Sequence, residues 1–128
     1  MPSRFFIDQD GIINGIYDGP QDAETMKDGI RQITAFTAQL RKQKKPVLIL
    51  VDTTGTTTQN AGARSQGAHF FKRADYDKVA IFGGSAMIKY VAKMVLFAVV
   101  LASKVQYFDT KEAALVWLKG SSSEKRPG

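Results

Sequence analysis

The sequence predicts one α/β domain with a mixed, mostly parallel five-stranded sheet and helices, in the order ββαβαβαβα. The first observation is that three short apolar runs alternate with segments of helical periodicity, which requires parallel strands joined by right-handed crossovers. The second is a pair of short strands at the start of the chain, which adds an antiparallel edge. The third is size, because 128 residues with 44% hydrophobic content suit one domain with a single core.

The chain opens with a predicted β-hairpin formed by residues 4–7 and 12–17. Between the two strands, Asp10 and Gly11 form a dipeptide that favours a tight hairpin turn. The Gly-Pro pair at residues 19–20 then ends the second strand, because proline cannot donate a hydrogen bond to a strand ladder and is tolerated at the start of a helix.

A helix and a buried strand are predicted next. Over residues 22–42, apolar side chains recur at steps of three and four, which is typical of a helix with one apolar stripe. Residues 47–51 are an unbroken aliphatic run, Val-Leu-Ile-Leu-Val, as expected of a strand buried on both faces. Residues 52–58 follow as a predicted loop of small hydroxyl residues.

The second half of the chain repeats this alternation. A second helix is predicted over residues 60–74, and a buried strand over residues 78–82 ends at the Gly-Gly-Ser of residues 83–85. A third helix is predicted over residues 86–102, and a last strand over residues 105–108.

A final helix completes the domain. Asp109 or Thr110 is expected to cap it, since both residue types accept hydrogen bonds from the first turn of a helix. Residues 120–128 are rich in Gly, Ser and charge, so we predict a disordered tail there and place the domain in residues 1–119.

The composition argues against several kinds of catalytic centre. The chain contains no cysteine, which excludes disulfides, thiolate nucleophiles, cysteine-based zinc sites and iron–sulfur clusters. His69 is the only histidine, and a triad would have to pair it with Ser65 or Ser85 without a Gly-x-Ser-x-Gly elbow. We therefore predict no metal, no cofactor and no enzymatic activity; an enzyme would depend on His69 or Asp52.

The formal net charge is +6, and part of it lies in residues 41–45 and in Lys125 and Arg126. Neither cluster has interleaved aromatic residues, so we expect solvated charge and no sequence-specific binding to nucleic acid. The N-terminus reaches Asp8 after three apolar residues, whereas a signal peptide needs a longer apolar region, so we expect a cytoplasmic protein.

The third helix is the most informative segment, because only Lys89 and Lys93 are charged within residues 86–102. A helix that covers one sheet face needs one apolar stripe and a polar back, whereas the half after Lys93 is apolar all round. A membrane span needs about 20 apolar residues, so we predict that this shorter segment does not cross a membrane. Something besides its own sheet must therefore cover the helix.

Three arrangements would cover the third helix. It could pack against its copy in a homodimer, line a pocket for an apolar ligand, or be covered by the second helix with Phe70 and Phe71. We rank the homodimer first and the pocket second. The residues predicted to bind a ligand in such a pocket are Met87, Tyr90, Val91, Met94, Phe97 and Leu101.

Two segments support a family resemblance. Residues 78–83, Lys-Val-Ala-Ile-Phe-Gly, lead into an apolar helix, and residues 105–109, Val-Gln-Tyr-Phe-Asp, precede Glu-Ala-Ala and Trp-Leu within residues 112–118. With these segments the chain resembles the STAS/CRAL-TRIO-like family of small bacterial proteins related to anti-sigma-factor antagonists. The resemblance implies a STAS-like domain, and the relation to CRAL-TRIO proteins implies a lipid-like ligand.

The resemblance also implies a modification site. The related antagonists carry Asp-Ser-Ser-Gly at the end of a buried strand, and a partner kinase phosphorylates the second serine. The corresponding residues 52–55 here are Asp-Thr-Thr-Gly, so the resemblance places phosphorylation on Thr54. The sequence departs from that pattern, because threonine replaces both serines and residues 56–60 delay the next helix. The alternative is a hydroxyl-rich loop that caps the second helix.

Ligands of open α/β sheets lie beyond the carboxyl ends of the parallel strands, so the segments that follow those strands should converge. These segments are residues 52–54, residues 83–85, and Asp109 with Thr110. Backbone N–H groups in the Gly-Gly-Ser turn could bind an anion at the N-terminus of the third helix. The alternative is a tight turn between strand and helix, in which the serine caps the third helix. The candidate phosphosite or anion loop comprises Asp52, Thr53, Thr54, Gly83, Gly84 and Ser85.

The sequence therefore predicts a cytoplasmic, homodimeric, STAS-like module without enzymatic activity. We expect it to bind a small apolar or amphipathic molecule, or a protein partner, beside its third helix. The alternative is a phosphorylation switch of the anti-sigma-antagonist kind that works through Thr54.

Overall fold

Strands and helices alternate along the chain in the predicted order, with two short strands added. The computed structural model describes residues 3–99 and 104–124, without the side chains of residues 94–99 and 121–124. The elements are β1 (Arg4–Ile7), β2 (Ile13–Ile16), β3 (Gly19–Gln21), α1 (Ala23–Lys42), β4 (Leu48–Asp52), β5 (Thr56–Gln59), α2 (Ala61–Arg73), β6 (Lys78–Phe82), α3 (Ala86–Val99), β7 (Val105–Phe108) and α4 (Lys111–Glu124).

The main sheet has five strands in the order β1-β2-β4-β6-β7. Strand β1 pairs antiparallel with β2, and all the other neighbours in this sheet are parallel. The predicted mixed, mostly parallel five-stranded sheet with an antiparallel edge is therefore confirmed. Parallel order follows from the helix that connects each strand to the next, because the chain must return to the same end of the sheet.

Strands β3 and β5 form a small separate sheet, and neither strand was predicted from the sequence. The prediction of a loop through residue 58 is wrong from Thr56 onwards. A buried hydrogen bond explains the ordering, because the Thr56 hydroxyl donates to the carbonyl oxygen of Tyr17 at 2.8 Å. Gly19, with a φ of 79°, turns the chain so that Pro20 lies at the edge of this two-stranded ladder.

Alternate residues of the central strands belong to two different cores, one on each face of the sheet. On one face, α1 and α2 cover a cluster that includes Ile13, Ile49 and Val79. On the other face, α4 supplies Ala114 and Leu118 to a second cluster. Because successive side chains of a strand point to opposite faces, an unbroken aliphatic strand supplies both cores.

The helix ends are set by side-chain caps. Asp22 caps α1 in a reciprocal arrangement with Thr25, and Asn60 caps α2 by accepting the backbone N–H of Ala63 at 2.9 Å. Of the two predicted caps of α4, Thr110 fills the role, because its hydroxyl accepts the backbone N–H of Ala113 at 3.1 Å.

One predicted end differs in position, and another lies outside the described residues. Helix α4 continues to Glu124, past the predicted end of the domain at residue 119, and residues 125–128 of the predicted tail lie outside the described residues. Helix α3 is described to Val99, and its predicted end at residue 102 also lies outside them. Within the described ranges, none of the helices combines the length and apolar character required to cross a membrane.

Candidate functional site

An apolar cavity lies between the main sheet and helices α1, α2 and α3. Its volume is about 70 Å³. The sheet contributes Val51 and Ile81, and the helices add mainly aliphatic and aromatic side chains. The other described residues that line it are Tyr17, Met26, Ile30, Ile33, Thr53, Gln59, Ala63, Arg64, Gly67, Phe70, Phe71, Ile88 and Ala92.

Helix α2 leaves room for this cavity because Gly67 has no side chain. A Cβ atom built at Gly67 would meet only the Cε atom of Met26, at 3.7 Å, which is ordinary van der Waals contact. Glycine within a helix costs about 1 kcal/mol relative to alanine. The sequence therefore accepts a helix-destabilising residue at a position where any larger side chain would begin to fill the cavity.

Polar residues also line the cavity, among them Thr53, Gln59 and Arg64. Arg64 is exposed to solvent and also lines the cavity, so it marks the side on which the cavity meets solvent. Its Nη1 atom donates a hydrogen bond to the carbonyl oxygen of Gln59 at 2.8 Å. Tyr17 also lines the cavity, and burial raises the pKa of its phenol, which therefore stays neutral at physiological pH.

Two described side chains of α3 line the cavity, and neither is among the predicted ligand-binding residues. Ile88 and Ala92, four residues apart, line the cavity. Met87 and Tyr90 instead lie on the outer side, with 68% and 63% of their surface exposed, while Val91 is half-buried. The side chains of Met94 and Phe97, and the whole of Leu101, lie outside the described residues.

Two of the three arrangements proposed for α3 are therefore compatible. Helix α2 covers the inner side of α3, and Phe70 and Phe71 of α2 line the cavity together with Ile88 of α3. The side of α3 that α2 covers is therefore also the side that lines the cavity. The exposed Met87 and Tyr90 keep the outer side of α3 available to a partner.

A second candidate region is the carboxyl edge of the sheet, where the predicted segments come together. The single proton of the Thr53 hydroxyl is shared between the carbonyl oxygens of Phe82 and Gly83, which lie at 3.0 and 3.1 Å. The Tyr107 hydroxyl also donates to the carbonyl oxygen of Gly83. The loops after β4 and β6 and the end of β7 are therefore joined by side-chain hydrogen bonds.

Thr54 is the exposed residue of this region. Its backbone N–H donates to the Asp52 carboxylate at 2.8 Å, which holds the loop in a tight turn. Gly83, in the turn after β6, lies against Thr54 and has a φ of 87°. A Cβ atom at Gly83 would overlap the Thr54 hydroxyl oxygen. The glycine therefore lets the Gly-Gly-Ser turn approach Thr54 closely, in a conformation that other residues rarely adopt.

The start of α3 is already capped. The Ser85 hydroxyl accepts the backbone N–H of Ile88 at 3.3 Å, which is the capping role proposed as the alternative to an anion site. Nearby, Lys89 Nζ lies 2.6 Å from a carboxylate oxygen of Asp109. The hydrogen bond and the charge of Lys89 lower the pKa of Asp109, so this exposed pair joins α3 to the end of β7.

His69 and the remaining acidic residues do not form a chemical centre in the described part of the chain. His69 is exposed on α2, and residues 3–99 and 104–124 contain no group of three or more residues able to hold a metal ion. Asp75 and Asp77 instead bind Arg41 of α1, at 2.9 and 3.0 Å, across the end of the core.

Comparison with known proteins identifies similar folds. A family model described as SpoIIAA-like matches residues 13–119. An uncharacterised DUF3478-family protein from Shewanella loihica PV-4, with a SpoIIAA-like fold, is 17% identical over 91% of both chains, with a TM-score of 0.59. The anti-sigma factor antagonist SpoIIAA in its unphosphorylated form is 10% identical over 92% of this chain and 98% of its own, with a TM-score of 0.60. A search of curated proteins finds no significant match.

Proposed function

The chain belongs to the SpoIIAA-like family, and from that premise we propose that it is a non-enzymatic binding module for a small apolar or amphipathic molecule. The apolar cavity between the sheet, α2 and α3 is the observation that supports this proposal. Ligand sites are typically concave and mostly apolar, with a few polar groups that orient the ligand. The cavity has this composition, with Arg64 and Gln59 among its polar residues.

The size of the cavity restricts how a ligand binds. At about 70 Å³ it is smaller than an engineered cavity of about 150 Å³ that accepts benzene. A chain-like molecule would therefore place only its end between Phe70 and Ile88 unless α2 and α3 move apart. The cavity wall includes Met26, whose unbranched side chain adapts to irregular shapes at low cost.

The charged residue at the cavity indicates the class of ligand. Arg64 is the one charged residue among the described side chains that line the cavity. Its guanidinium group binds carboxylates and phosphates through two parallel hydrogen bonds. We therefore expect an amphipathic anion whose apolar part enters the cavity while its head group binds Arg64.

A cavity-filling substitution tests the proposal. Gly67→Leu projects an apolar side chain into the cavity and removes a helical glycine, so we expect a raised thermal midpoint together with at least a tenfold loss of affinity. The probe is a dansyl-labelled undecanoic acid followed by fluorescence titration. Gly67→Ala is the control, since it stabilises the helix by about 1 kcal/mol and leaves most of the cavity open. Equal binding by Gly67→Leu and the unchanged protein would refute the proposal.

We further propose that the protein is cytoplasmic and homodimeric. The exposed Met87 and Tyr90 of α3 offer one apolar surface for a protein partner. A second surface, the edge of strand β1, offers backbone groups to a second copy of the chain.

A second candidate function is a phosphorylation switch at Thr54. Its support is the contrast between the two adjacent threonines, because Thr54 is exposed while Thr53 is buried and hydrogen-bonded. A phosphate on Thr54 would add a charge of about −2 beside the Asp52 carboxylate, at the carboxyl edge of the sheet. Such a charge would repel or release a partner bound to that edge.

Replacing Thr54 by glutamate tests the switch. We expect Thr54→Glu to lose the proteins that co-purify with the unchanged chain from native cells. Thr57→Glu is the matched control, because Thr57 is also an exposed threonine, on β5 and three residues away. If Thr54→Glu keeps every partner that Thr57→Glu keeps, the switch is wrong while the ligand-binding proposal is unaffected.

A further inference from the structure

Strand β1 has a free edge that can pair with another strand. Among residues 3–99 and 104–124 it is the terminal strand of the main sheet, with β2 as its neighbour on one side only. The Asp8 backbone N–H donates to the carbonyl oxygen of Ile12 at 2.9 Å. Because hydrogen-bonded and non-bonded pairs alternate along an antiparallel ladder, Arg4 and Phe6 also bond to β2. The N–H and C=O groups of Phe5 and Ile7 therefore point outward, away from β2.

The side chains of β1 differ on its two faces. Phe5 and Ile7 pack against the core below α1, and the Phe5 ring lies edge-on to Tyr17 with centroids 5.2 Å apart. Phe6 points to the opposite face, beside Asn14 of β2, and belongs to neither hydrophobic cluster of the described residues. Its exposed fraction is 38%, which leaves a large aromatic ring at the sheet edge.

We propose that β1 pairs antiparallel with β1 of a second copy of this chain, around a two-fold axis at Phe6. In this register Phe6 lies opposite Phe6 of the partner subunit, Phe5 lies opposite the partner's Ile7, and Arg4 lies opposite the partner's Asp8. The two five-stranded sheets then form one continuous sheet. The proposal is independent of the ligand proposed for the cavity.

The backbone selects registers of this kind. Opposite residues of an antiparallel pair point to the same face, so Phe6 can face another Phe6 but not a core-facing residue. The outward N–H and C=O groups of Phe5 and Ile7 then bond to those of the partner's Ile7 and Phe5. Phe6 occupies a non-bonded pair, the closer of the two pair types, where aromatic side chains stabilise each other across the strands.

Charge selects one register among those that the backbone permits. In the chosen register the cation of Arg4 lies opposite the partner's Asp8 at both ends of the strand pair. A shift by one residue pair in either direction places Arg4 opposite an apolar residue or places Asp8 opposite Phe6. Only the register centred on Phe6 therefore matches opposite charges while keeping the apolar residues together.

Both charged residues are available for this contact. Arg4 is exposed and forms no ion pair with the residues that the structure describes. The Asp8 carboxylate accepts the N–H groups of Asp10 and Ile12 and the side-chain amide of Asn14, at 2.9, 3.1 and 3.0 Å. These bonds fix its orientation, and a carboxylate with about four acceptor positions can accept one more donor.

The expected dimer is weak because each subunit contributes one short strand. Interfaces at the low end of the size range belong to transient complexes, so we expect dissociation on the order of micromolar concentration. The two ion pairs are near the surface, so added salt should weaken the dimer.

Disulfide trapping tests the register directly. The chain has no native cysteine, so Phe6→Cys introduces one thiol per subunit, and the proposed non-bonded pair places the two Cα atoms about 4.5 Å apart. We expect covalent dimer within minutes under mild oxidation with diamide. Tyr90→Cys, a more exposed position on α3, is the control and should cross-link more slowly. Faster cross-linking of Tyr90→Cys would overturn the proposal.

A charge reversal provides a second measurement that leaves the aromatic residues in place. In sedimentation equilibrium, Arg4→Glu should weaken the dimer at least tenfold, because it places like charges opposite each other at both ends of the strand pair. Lys72→Glu makes the same charge change at an exposed site of α2 and should have no such effect. A wild-type chain that stays monomeric at 100 µM and above, or equal dissociation of the two variants, would overturn the proposal.

Discussion

Adjacent threonines after β4 have opposite environments. The side chain of Thr53 is buried and hydrogen-bonded to carbonyl groups at the end of β6, whereas Thr54 is exposed and, within the described residues, is bonded to Asp52 through its backbone. The first threonine therefore stabilises the carboxyl edge, and the second is free for contact or modification. Residue type alone could not separate these roles, because either threonine can cap, turn or bond to the backbone.

Thr53→Val should destabilise the protein by about 1–2 kcal/mol, because it removes a buried hydroxyl and leaves the carbonyl of Gly83 with one donor fewer. Thr54→Val should stay within about 0.5 kcal/mol of the wild type, as is usual for exposed positions. Urea unfolding monitored by circular dichroism measures both. A larger loss for Thr54→Val than for Thr53→Val would contradict this assignment.

A salt-bridge network at the opposite end of the core makes stability depend on pH. Hydrogen bonds from Arg41 lower the pKa of Asp75. Burial alone would raise the pKa of Asp77, but hydrogen bonds from Arg41 and from the backbone N–H of Val47 outweigh it and lower that pKa. A carboxyl group with a lowered pKa in the folded state contributes stability above its ordinary pKa, and that contribution disappears as the pH falls through the folded value.

Arg41→Gln should therefore reduce stability most at pH 7, and its difference from the wild type should narrow as the pH falls below about 4. Urea unfolding at pH 7, 5 and 3 measures the difference at each pH. Arg31→Gln is the control, because the pair that Arg31 forms with Asp28 at 3.0 Å is exposed, so its loss should give a small difference throughout. A difference for Arg41→Gln that is constant with pH would contradict the network's role.

The elements show which features sequence patterns could predict. The central strands and four helices were predictable because their apolar periodicities are long and unambiguous. Strands β3 and β5 were not, since one has three residues with a proline and the other is a polar threonine run that resembles a loop. The inner side of α3 was also unpredictable, because its apolar residues surround the helix and only packing against α2 selects Ile88 and Ala92.

Helix α4 provides a prediction at this scale. Leu118 is fully buried in the second core, whereas Val116 of the same helix is 70% exposed. Leu118→Ala should cost about 2–5 kcal/mol, and Val116→Ala should remain within about 0.5 kcal/mol. Chemical denaturation of the two variants, with equal m-values, tests this difference; similar losses would show that α4 does not cover the sheet in this orientation.

At the scale of the whole molecule, the three surfaces that we propose to be functional lie on different parts of one sheet. The cavity lies on the face that α1, α2 and α3 cover, the Thr54 loop lies at the carboxyl edge, and the free edge of β1 lies at the side of the sheet. The convergence of the loops after β4 and β6 was predictable, because parallel strands end at one edge. The cavity and the self-complementary β1 edge required the three-dimensional packing and register.

The central claim is that the cavity holds a small amphipathic molecule, and native mass spectrometry of freshly purified protein tests it most directly. We predict a discrete extra mass on the wild-type chain that is absent from Gly67→Leu and present on Gly67→Ala. Release of that molecule by organic solvent would then give its identity. A wild-type chain without any adduct, even after incubation with the labelled undecanoic acid, would contradict the account.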